Sequence, residues 1–359
     1  MKVAYLLGSL NRGGAETIIL DVFRNWRNLP FSIIGIHRKD GAYRDDFYTA
    51  GPIMYQLAPK RCGYLRYIMQ LRRLLKKEKI AIVHTQQWLD CIYAYIASIG
   101  MRIKIVNTFH GFYSMKGLSG ALCRLSVRMA DDVCFVSRYE QEWYQKHAKI
   151  ADGKCHVIYN GIDLDKIERS VDSIEQRPRL CMVGNFTSGR DHITLVHALV
   201  LLHKWGVENF DFYFIGRRSD AEPRIYDESV SICEENNMSH VHFLGGRNDV
   251  PSLLKTMDAF VYSTAHDTFG IAMVEAMAAG LPVLVNDWPV MKEVCGNVAS
   301  YFHSRDCEDC AHAIEQLLAE LPERKETAKM NAELVRKKYS IESYIDTLTK
   351  IYNENTNNR

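Results

Sequence analysis

Short apolar runs alternate with longer amphipathic ones along this chain, and the alternation predicts strands followed by helices. The first apolar run, Lys2–Leu7, is followed by a glycine-containing loop and a predicted helix at Ile18–Trp26. Further strands of this first series are predicted at Phe31–Ile36, Ala81–His84, Ile103–Phe109, Asp132–Ser137 and His156–Tyr159. Strands separated by helical stretches indicate a parallel sheet with helices on both faces.

A second series starts afresh after Pro178, with strands predicted at Arg179–Val183, Phe210–Ile215, His240–Phe243, Ala259–Ser263 and Val283–Asn286. The polar stretch Asp163–Arg177 between the two series is the predicted hinge. The last amphipathic run, Ile341–Tyr352, predicts a helix that no strand follows. A chain of 359 residues suits two domains, because single cores rarely grow beyond about 250–300 residues.

The composition is that of an ordinary globular protein, with 47% apolar and 25% charged residues. The opening apolar run is too short for a signal peptide, and the longest uncharged run, Cys91–Met101, is far shorter than the ~18–20 residues of a membrane span. The ten cysteines are scattered, and the one Cys-x-x-Cys, Cys307–Cys310, lacks a second ligand pair. We therefore expect a cytoplasmic protein with reduced thiols.

The small net charge of +2 hides a strong asymmetry. Residues 1–170 carry 26 basic and 15 acidic side chains, whereas residues 171–359 carry 19 and 28. The two halves, at +11 and −9, are predicted to face different partners.

Residues 60–79 hold eight basic side chains and one acidic side chain. The apolar positions of this segment predict a helix docked on the sheet through Leu65, Ile68, Met69, Leu71, Leu74 and Leu75. The other faces would carry Arg66, Arg73, Lys76 and Lys77.

The most informative polar positions follow the strand Ala259–Ser263. Asp267 and Glu275 flank a Phe-Gly turn, and Glu275 opens a helical run that stops at Gly280-Leu-Pro282. Open α/β sheets bind ligands at such strand-to-helix loops. The unpaired N–H groups of the helix start can receive a phosphate, and Glu275 is close enough to reach a sugar hydroxyl. An ordinary polar loop of a βαβ unit is the alternative.

The glycine loop after the first strand, Gly8 to Gly13-Gly14, is neither the dinucleotide fingerprint nor a nucleotide-triphosphate P-loop. Two adjacent glycines at a helix start let the backbone approach a ligand without a Cβ in the way. A plain tight turn explains the loop equally well.

Taken in order, these motifs resemble those of glycosyltransferase family 4, which comprises retaining, nucleotide-sugar-dependent enzymes. The resemblance covers nearly the full length. It is carried by Gly13-Gly14-Ala15-Glu16, His110-Gly111-Phe112, Val136-Ser137, Asn160-Gly161-Ile162-Asp163, Val183-Gly184 with Arg190, and Asp267 with Glu275-Ala-Met-Ala-Ala-Gly280-Leu-Pro-Val283.

The resemblance implies an α/β protein of the GT-B fold, with two Rossmann-like, doubly wound domains facing across a cleft. Residues 1–165 would form the acceptor-side domain, and residues 176–340 the domain that binds the nucleotide-sugar donor. The C-terminal helix, residues 341–357, would pack back on the first domain.

The resemblance also assigns roles to residues. Arg190 would bind the donor diphosphate, Glu275 the ribose hydroxyls, and Asp267 and His110 the donor sugar; these four form the expected catalytic set. Backbone near the donor would come from Gly13, Gly14, Leu244, Phe269, Gly270 and Ile271. His84 and Gln86 are expected on the acceptor side. The resemblance implies no metal requirement, and no cofactor is expected because the nucleotide-sugar is itself a substrate.

Two positions depart from the family pattern. Asn185 replaces an arginine at the donor phosphates, so Arg190 would have to hold them, helped by Arg217 or Arg218. Asp267 replaces a glutamate and is one methylene shorter. Both changes bear on the identity of the donor.

The implied function is retaining transfer of a hexose-type sugar, with a UDP-sugar as the favoured donor. The acceptor would be a lipid-linked or growing surface-polysaccharide saccharide, reached where the basic segment lies against the anionic inner face of the plasma membrane. Nucleic acid is not an expected partner. The alternatives are a GT-B-fold sugar-nucleotide epimerase and a non-catalytic subunit that binds sugar nucleotides.

Overall fold

The computed structural model describes residues 1–59, 63–167 and 177–354, and the chain divides into two compact units. One unit comprises Met1–Gly161 together with Ile341–Arg359, and the other comprises Ile162–Ser340. Most of the predicted hinge, residues 168–176, lies outside the described residues, as do residues 60–62 of the basic segment.

The first unit is built on a parallel sheet whose described strands run in the order β3-β2-β1-β4-β5-β6-β7. These strands are β1 Lys2–Leu7, β2 Ser32–His37, β3 Ile53–Gln56, β4 Ile82–Thr85, β5 Lys104–Phe109, β6 Asp132–Phe135 and β7 Cys155–Val157. Its helices are α1 Gly14–Arg24, α2 Arg44–Thr49, α3 Tyr64–Lys77, α4 Trp88–Ser98, α5 Gly117–Met129, α6 Arg138–Ala148 and, from the chain end, α14 Ile341–Asn353.

Apolar residues of the strands and of α3, α4, α5 and α6 share one buried cluster. Helix α14 instead contacts α1. Its Tyr352 hydroxyl donates to the Tyr5 hydroxyl (3.0 Å), and Lys104 Nζ donates to the carbonyl oxygens of Ile351 (2.5 Å) and Glu354 (2.7 Å). The end of the chain is therefore held in the first unit by buried polar groups as well as by apolar packing.

The second unit has a parallel sheet in the order β10-β9-β8-β11-β12-β13. Its described strands are β8 Arg179–Val183, β9 Asp211–Ile215, β10 Val241–Phe243, β11 Ala259–Tyr262, β12 Val283–Asn286 and β13 Ser300–Phe302. Its helices are α7 His192–Lys204, α8 Pro223–Glu235, α9 Val250–Lys255, α10 Ile271–Ala278, α11 Pro289–Cys295, α12 Cys307–Ala319 and α13 Leu321–Lys338.

The predicted strands agree with the structure to within one or two residues at each end. Two strands were missed, β3 in the first unit and β13 in the second. Both lie at the edge of a sheet. They are only three or four residues long and half-exposed, so neither shows the continuous apolar run that identifies a central strand.

Candidate functional site

In the second unit, the loops that follow β8, β9, β10 and β11 all leave the carboxyl edge of one parallel sheet, where α/β proteins bind ligands. The β8 and β9 loops touch through their backbones. A Cβ on Gly216 would lie 1.9 Å from the Gly184 carbonyl oxygen, so only glycine fits there. The Gly216 amide donates to the Gly245 carbonyl (2.9 Å), so the β10 loop is hydrogen-bonded to the β9 loop.

Asp267 lies on the β11 loop, and both of its carboxylate oxygens accept hydrogen bonds. Oδ2 accepts from the buried Tyr262 hydroxyl (2.8 Å), and Oδ1 accepts from the Thr268 amide (2.9 Å). Arg190 Nη2 lies 3.3 Å from Oδ2. The carboxylate is thus fixed in place by a phenol, a backbone amide and a guanidinium.

The loop that carries Asp267 is itself anchored by side chains from β12 and the segment after it. Trp288 Nε1 donates to the Asp267 carbonyl (2.9 Å), and the Asp267 amide donates to Thr264 Oγ1 (3.1 Å). Asn286 is buried and exchanges two hydrogen bonds with the Thr264 backbone, at 2.8 and 3.0 Å. Sequence reasoning missed Tyr262, Thr264, Asn286 and Trp288. The available signal was the polar residue Asn286 at the end of an apolar strand.

Arg190 belongs to the β8 loop and contacts the β11 loop that carries Asp267. A short antiparallel bridge pairs Arg190 with Thr264, and its guanidinium lies 5.4 Å from the Tyr262 ring centre. Arg190 Nε is buried without a hydrogen-bond partner among the described residues. Burial opposes the positive charge, but the Asp267 carboxylate and Tyr262 outweigh it and raise the pKa of Arg190. The guanidinium remains fully charged at the edge of the sheet.

Helix α10 begins directly after the Asp267 loop, and its start is open. Gly270 adopts a left-handed conformation (φ 85°), which glycine allows at little cost, and no side chain caps the helix. Phe269 is buried with its ring 5.6 Å from that of Tyr339, so at this position only the backbone is available to a ligand. Ile271 is the first residue of the helix, and Glu275, half-buried, lies in its second turn.

The structure gives Asn185 a local partner. Its Oδ1 accepts from the Arg217 amide (3.0 Å), which joins the β8 and β9 loops. Arg218 forms a bidentate ion pair with Asp227, in which Nε and Nη2 each lie 2.7 Å from a carboxylate oxygen. Arg217 is exposed and forms no ion pair among the described residues. Of the two proposed helpers of Arg190, Arg217 is therefore the one whose charge is available.

The β10 loop places Leu244 beside an aromatic layer. The Leu244 amide donates to the Phe214 carbonyl (2.9 Å), and the Phe214 and Phe243 rings stack at 5.1 Å. This apolar and backbone-lined surface suits a flat base whose edge is read by main-chain groups.

The first unit contains the other expected positions. Helix α1 begins at Gly14 after Gly13, whose φ of −153° is ordinary extended backbone, and no side chain caps the helix. His110 follows β5, and its Nε2 donates to Gln86 Oε1 (2.7 Å). Burial lowers the pKa of His110 to about 4, so the imidazole is neutral at neutral pH.

The loop after His110 is held by helix α6. The Tyr144 hydroxyl donates to the Gly111 carbonyl (2.7 Å) and accepts from the Tyr113 amide (3.1 Å). Ser137 caps the start of the same helix by accepting from the Glu140 amide (3.2 Å). Ser137 therefore starts the helix whose Tyr144 holds the loop that carries His110.

The expected acceptor-side position of His84 is wrong. His84 is fully buried, with Nδ1 bonded to the Tyr352 hydroxyl (2.6 Å) and Nε2 to Thr108 Oγ1 (2.7 Å). Burial lowers its pKa to about 3. The histidine serves to hold α14 against the sheet, and a substrate has no access to it.

Two family models match the chain one after the other. The model described as Glycosyltransferase Family 4 matches residues 12–166, and the model described as Glycosyl transferases group 1 matches residues 163–335. Together they span residues 12–335, which include most of both units.

Curated relatives match over most of their length. The UDP-Gal:alpha-D-GlcNAc-diphosphoundecaprenol alpha-1,3-galactosyltransferase of Escherichia coli is 24% identical over 316 residues, covering 80% of this chain and 79% of that protein. The N,N'-diacetylbacillosaminyl-diphospho-undecaprenol alpha-1,3-N-acetylgalactosaminyltransferase of Campylobacter jejuni is 25% identical over 295 residues, covering 75% and 76%.

Among solved structures, HepE of Anabaena in complex with UDP and glucose has a TM-score of 0.86 at 18% identity, covering 99% of this chain and 100% of that one. At this identity the likeness shows the fold alone. The predicted fold class, two Rossmann-like α/β units of the GT-B kind, is confirmed.

Proposed function

Because the chain belongs to glycosyltransferase family 4 and is an enzyme of the GT-B fold, we propose that it is a retaining transferase that uses a UDP-sugar as donor. It would transfer a hexose-type sugar from this donor to a hydroxyl of a lipid-linked saccharide. The observation that carries the proposal is the joint placement of Arg190, Asp267 and the open start of α10 at one sheet edge. A cation, a fixed carboxylate and open helix amides meet there.

The donor diphosphate would be neutralised by protein groups alone. Arg190 supplies a guanidinium, which can bind two phosphate oxygens at once, and the start of α10 supplies amides and a partial positive charge. Glu275, one turn further along, offers acceptors to the two ribose hydroxyls. This division of roles supports transfer without a catalytic metal.

The hydrogen bonds of Asp267 support a role in orienting the sugar. A carboxylate nucleophile, as used by retaining glycosidases, needs an oxygen free to attack. Here Oδ2 is shared by Tyr262 and Arg190, and Oδ1 accepts from Thr268. We therefore favour front-face substitution, in which the departing phosphate oxygen takes the acceptor proton and the protein stabilises the growing negative charge.

A lipid-linked acceptor is supported by the relatives. The names of the E. coli and C. jejuni proteins both state transfer to a saccharide on diphosphoundecaprenol. We propose the same class of acceptor here, presented at the inner face of the plasma membrane. Both relatives are transferases, so the comparisons do not favour an epimerase or a non-catalytic subunit.

The surface of the first unit supports contact with that membrane. Two apolar residues of α3 that were expected to dock on the sheet are instead exposed, Leu65 at 84% and Met69 at 51%. The helix is anchored by a different set, Tyr67, Leu71, Leu74 and Leu75. Arg72 does not face outward freely, because it donates to the carbonyl oxygens of Ala97 (2.9 Å) and Ile99 (2.6 Å).

The exposed apolar side chains lie beside exposed basic ones. Neighbouring α4 and the residue after it add Tyr95, Ile96 and Ile99, all at least 40% exposed, and α3 adds Arg66, Arg73, Lys76 and Lys77. Each basic residue near an anionic bilayer contributes about 1 kcal/mol, and apolar side chains bury in the headgroup region. The contact that we propose is peripheral. No helix of the described chain is long and apolar enough to cross a bilayer.

One assay tests the proposal directly. The protein is incubated with a panel of UDP-, GDP- and ADP-hexoses and a lipid-linked diphosphate saccharide, and the anomeric configuration of the product is read by NMR. A product that keeps the donor configuration and forms from a UDP-sugar is expected. An inverted product would reject retention, and a free sugar epimer without acceptor would indicate an epimerase.

A thermal-shift panel of the same nucleotides separates binding from transfer. Ligands that bind only the folded state raise the unfolding temperature whatever the acceptor is. Stabilisation by GDP or ADP with none by UDP would reject the proposed donor class.

A further inference from the structure

Three metal-binding side chains meet at the edge of the second sheet opposite the donor loops. They are His203 near the end of α7, Glu208 in the loop before β9, and His240 directly before β10. Their ligand atoms all lie within 4.8 Å of one another. Because β9 and β10 are parallel neighbours, loops that precede these strands leave the amino edge, away from the loops that carry Arg190 and Asp267.

Two imidazole nitrogens of this group, His203 Nδ1 and His240 Nε2, are buried and have no hydrogen-bond partner in the described part of the chain. His240 is only 3% exposed, and its Nε2 has no hydrogen-bond partner among the described residues. The Nδ1 atom of His203 is also buried. It lies 2.8 Å from Glu208 Oε1, yet the two atoms are not aligned for a hydrogen bond. A buried polar atom without a partner is destabilising, so a cation that binds these two nitrogens would stabilise the fold.

We propose that His203, Glu208 and His240 form a binding site for a divalent cation of the zinc type. Two imidazole nitrogens and one carboxylate oxygen are a common Zn²⁺ ligand set, with water as the fourth ligand. Mg²⁺ and Ca²⁺ prefer oxygen ligands and do not match this set. A tetrahedral zinc needs its ligand atoms about 3.3 Å apart. Rotation of the exposed Glu208 side chain and of His203 supplies that adjustment.

The neighbouring cation leaves the Glu208 carboxylate available to a metal. Arg177, a cation of the same edge, donates to the carbonyl oxygens of Glu208 and Phe210 and lies 3.3 Å from Asp211. None of these three contacts involves the Glu208 carboxylate.

A metal here would act on stability. It would tie the end of α7 to the start of β10 across the loop that contains Glu208, because all three ligands belong to the amino edge of the sheet. Sugar transfer at the opposite edge would not require it, so this site is independent of the function proposed above.

The test uses the untagged full chain, stripped with EDTA, with its thiols reduced. Zn²⁺ is titrated against a chromophoric chelator, and bound metal is counted after dialysis. We expect one tightly held equivalent and a higher unfolding temperature with Zn²⁺. His203→Ala and Glu208→Gln should each weaken binding by about tenfold or more and abolish the thermal gain. Glu208 is exposed, so the Glu208→Gln protein is expected to fold.

Matched controls come from another pair in the same unit and from the cysteines. His312 and Glu315 form an exposed pair 3.6 Å apart, and His312→Ala and Glu315→Gln should leave binding unchanged, as should Cys307→Ser. Zinc absorption spectra should show nitrogen and oxygen ligands without sulfur. Absence of stoichiometric Zn²⁺, unchanged binding in the His203 and Glu208 variants, or loss of binding in Cys307→Ser would overturn the proposal.

Discussion

Arg190 Nη2 lies 3.3 Å from Asp267 Oδ2, so the cation assigned to the donor diphosphate and the carboxylate assigned to the donor sugar are ion-paired. A diphosphate that binds Arg190 competes with this pair. Asp267 stays anchored meanwhile, because Tyr262 and the Thr268 amide still hold its two oxygens. With the roles proposed above, binding of phosphate and positioning of the sugar would be coupled through this one contact.

Arg190→Ala is expected to weaken UDP binding by about 10- to 100-fold, since a charged hydrogen bond contributes about 1.5–3 kcal/mol. Uridine, which lacks phosphate, should lose little affinity. Isothermal titration with both ligands measures the difference. Arg218→Ala is the control, because Arg218 is occupied by Asp227. Equal losses for UDP and uridine would remove Arg190 from the phosphates.

Tyr262→Phe removes one hydrogen bond to Asp267 and keeps the buried ring. We expect kcat to fall about tenfold with little change in KM, because Asp267 would orient the sugar less well while the nucleotide contacts remain. The free energy of unfolding should fall by about 1–2 kcal/mol. Tyr301→Phe, which removes a surface hydroxyl bonded to the Gly296 carbonyl, should leave kcat unchanged. A normal kcat in Tyr262→Phe would show that the phenol does not position Asp267.

Glu275→Gln should weaken nucleotide binding by about 1–3 kcal/mol, because a neutral amide accepts less strongly from the ribose hydroxyls than a carboxylate does. Comparison of UDP with its 2′-deoxy analogue sharpens the test. The wild-type protein should prefer UDP, and the variant should lose most of that preference. Glu228→Gln, on the surface of α8, is the matched control. An undiminished preference for UDP in Glu275→Gln would refute the ribose assignment.

The pKa of His110, lowered to about 4 by burial, predicts how stability depends on pH. The unfolded state gains a proton near pH 6.5, whereas the folded state gains it only near pH 4. As the pH falls between these values, the free energy of unfolding therefore decreases by up to about 1.4 kcal/mol per pH unit. Above pH 6.5 this histidine has no effect on the slope.

Urea unfolding at pH 7, 6 and 5 measures that slope, and His110→Asn should flatten it. Asparagine keeps a donor for Gln86 but does not titrate, and contributions from carboxylates cancel between the two proteins. Identical slopes in the wild type and the variant would mean that His110 is not held neutral by the fold.

Replacement of the outward basic residues of α3 by serine should reduce binding to anionic vesicles and leave UDP affinity unchanged. The variant changes Arg66, Arg73, Lys76 and Lys77, but not Arg72, which holds α4. Co-sedimentation with anionic and with neutral vesicles at two salt concentrations measures the effect. The control replaces four exposed basic residues of the second unit, Lys204, Arg224, Arg305 and Lys337. Binding that ignores lipid charge and the α3 substitutions would argue against the membrane role.

A second pair of substitutions, Leu65→Ser and Met69→Ser, separates charge from apolar insertion. Both side chains are exposed, so the fold should tolerate their loss. A loss of vesicle binding that is equally large at low and at high salt would indicate insertion into the headgroup region, because salt screens only the charge attraction.

The apolar runs of the sequence were sufficient to predict both series of central strands and the parallel topology, because strands buried on both faces are mostly apolar. The edge strands β3 and β13 were missed, because each is only three or four residues long and half-exposed and therefore offers few buried apolar positions. Asp267 and Glu275 were recognisable because polar residues at the end of a buried strand and the start of a helix lie where ligands bind.

Only the tertiary structure decided which side chains contact Asp267 and which polar side chains are buried. Tyr262 and Trp288 meet Asp267 because β11 and β12 are neighbours and the β11 loop folds back over them. His84 is buried by Tyr352, 268 positions further along the chain. His203, Glu208 and His240 come together because β9 and β10 start at the same edge. Sequence spacing encodes local period and burial, whereas contacts between distant segments depend on strand order and on which surface the last helix covers.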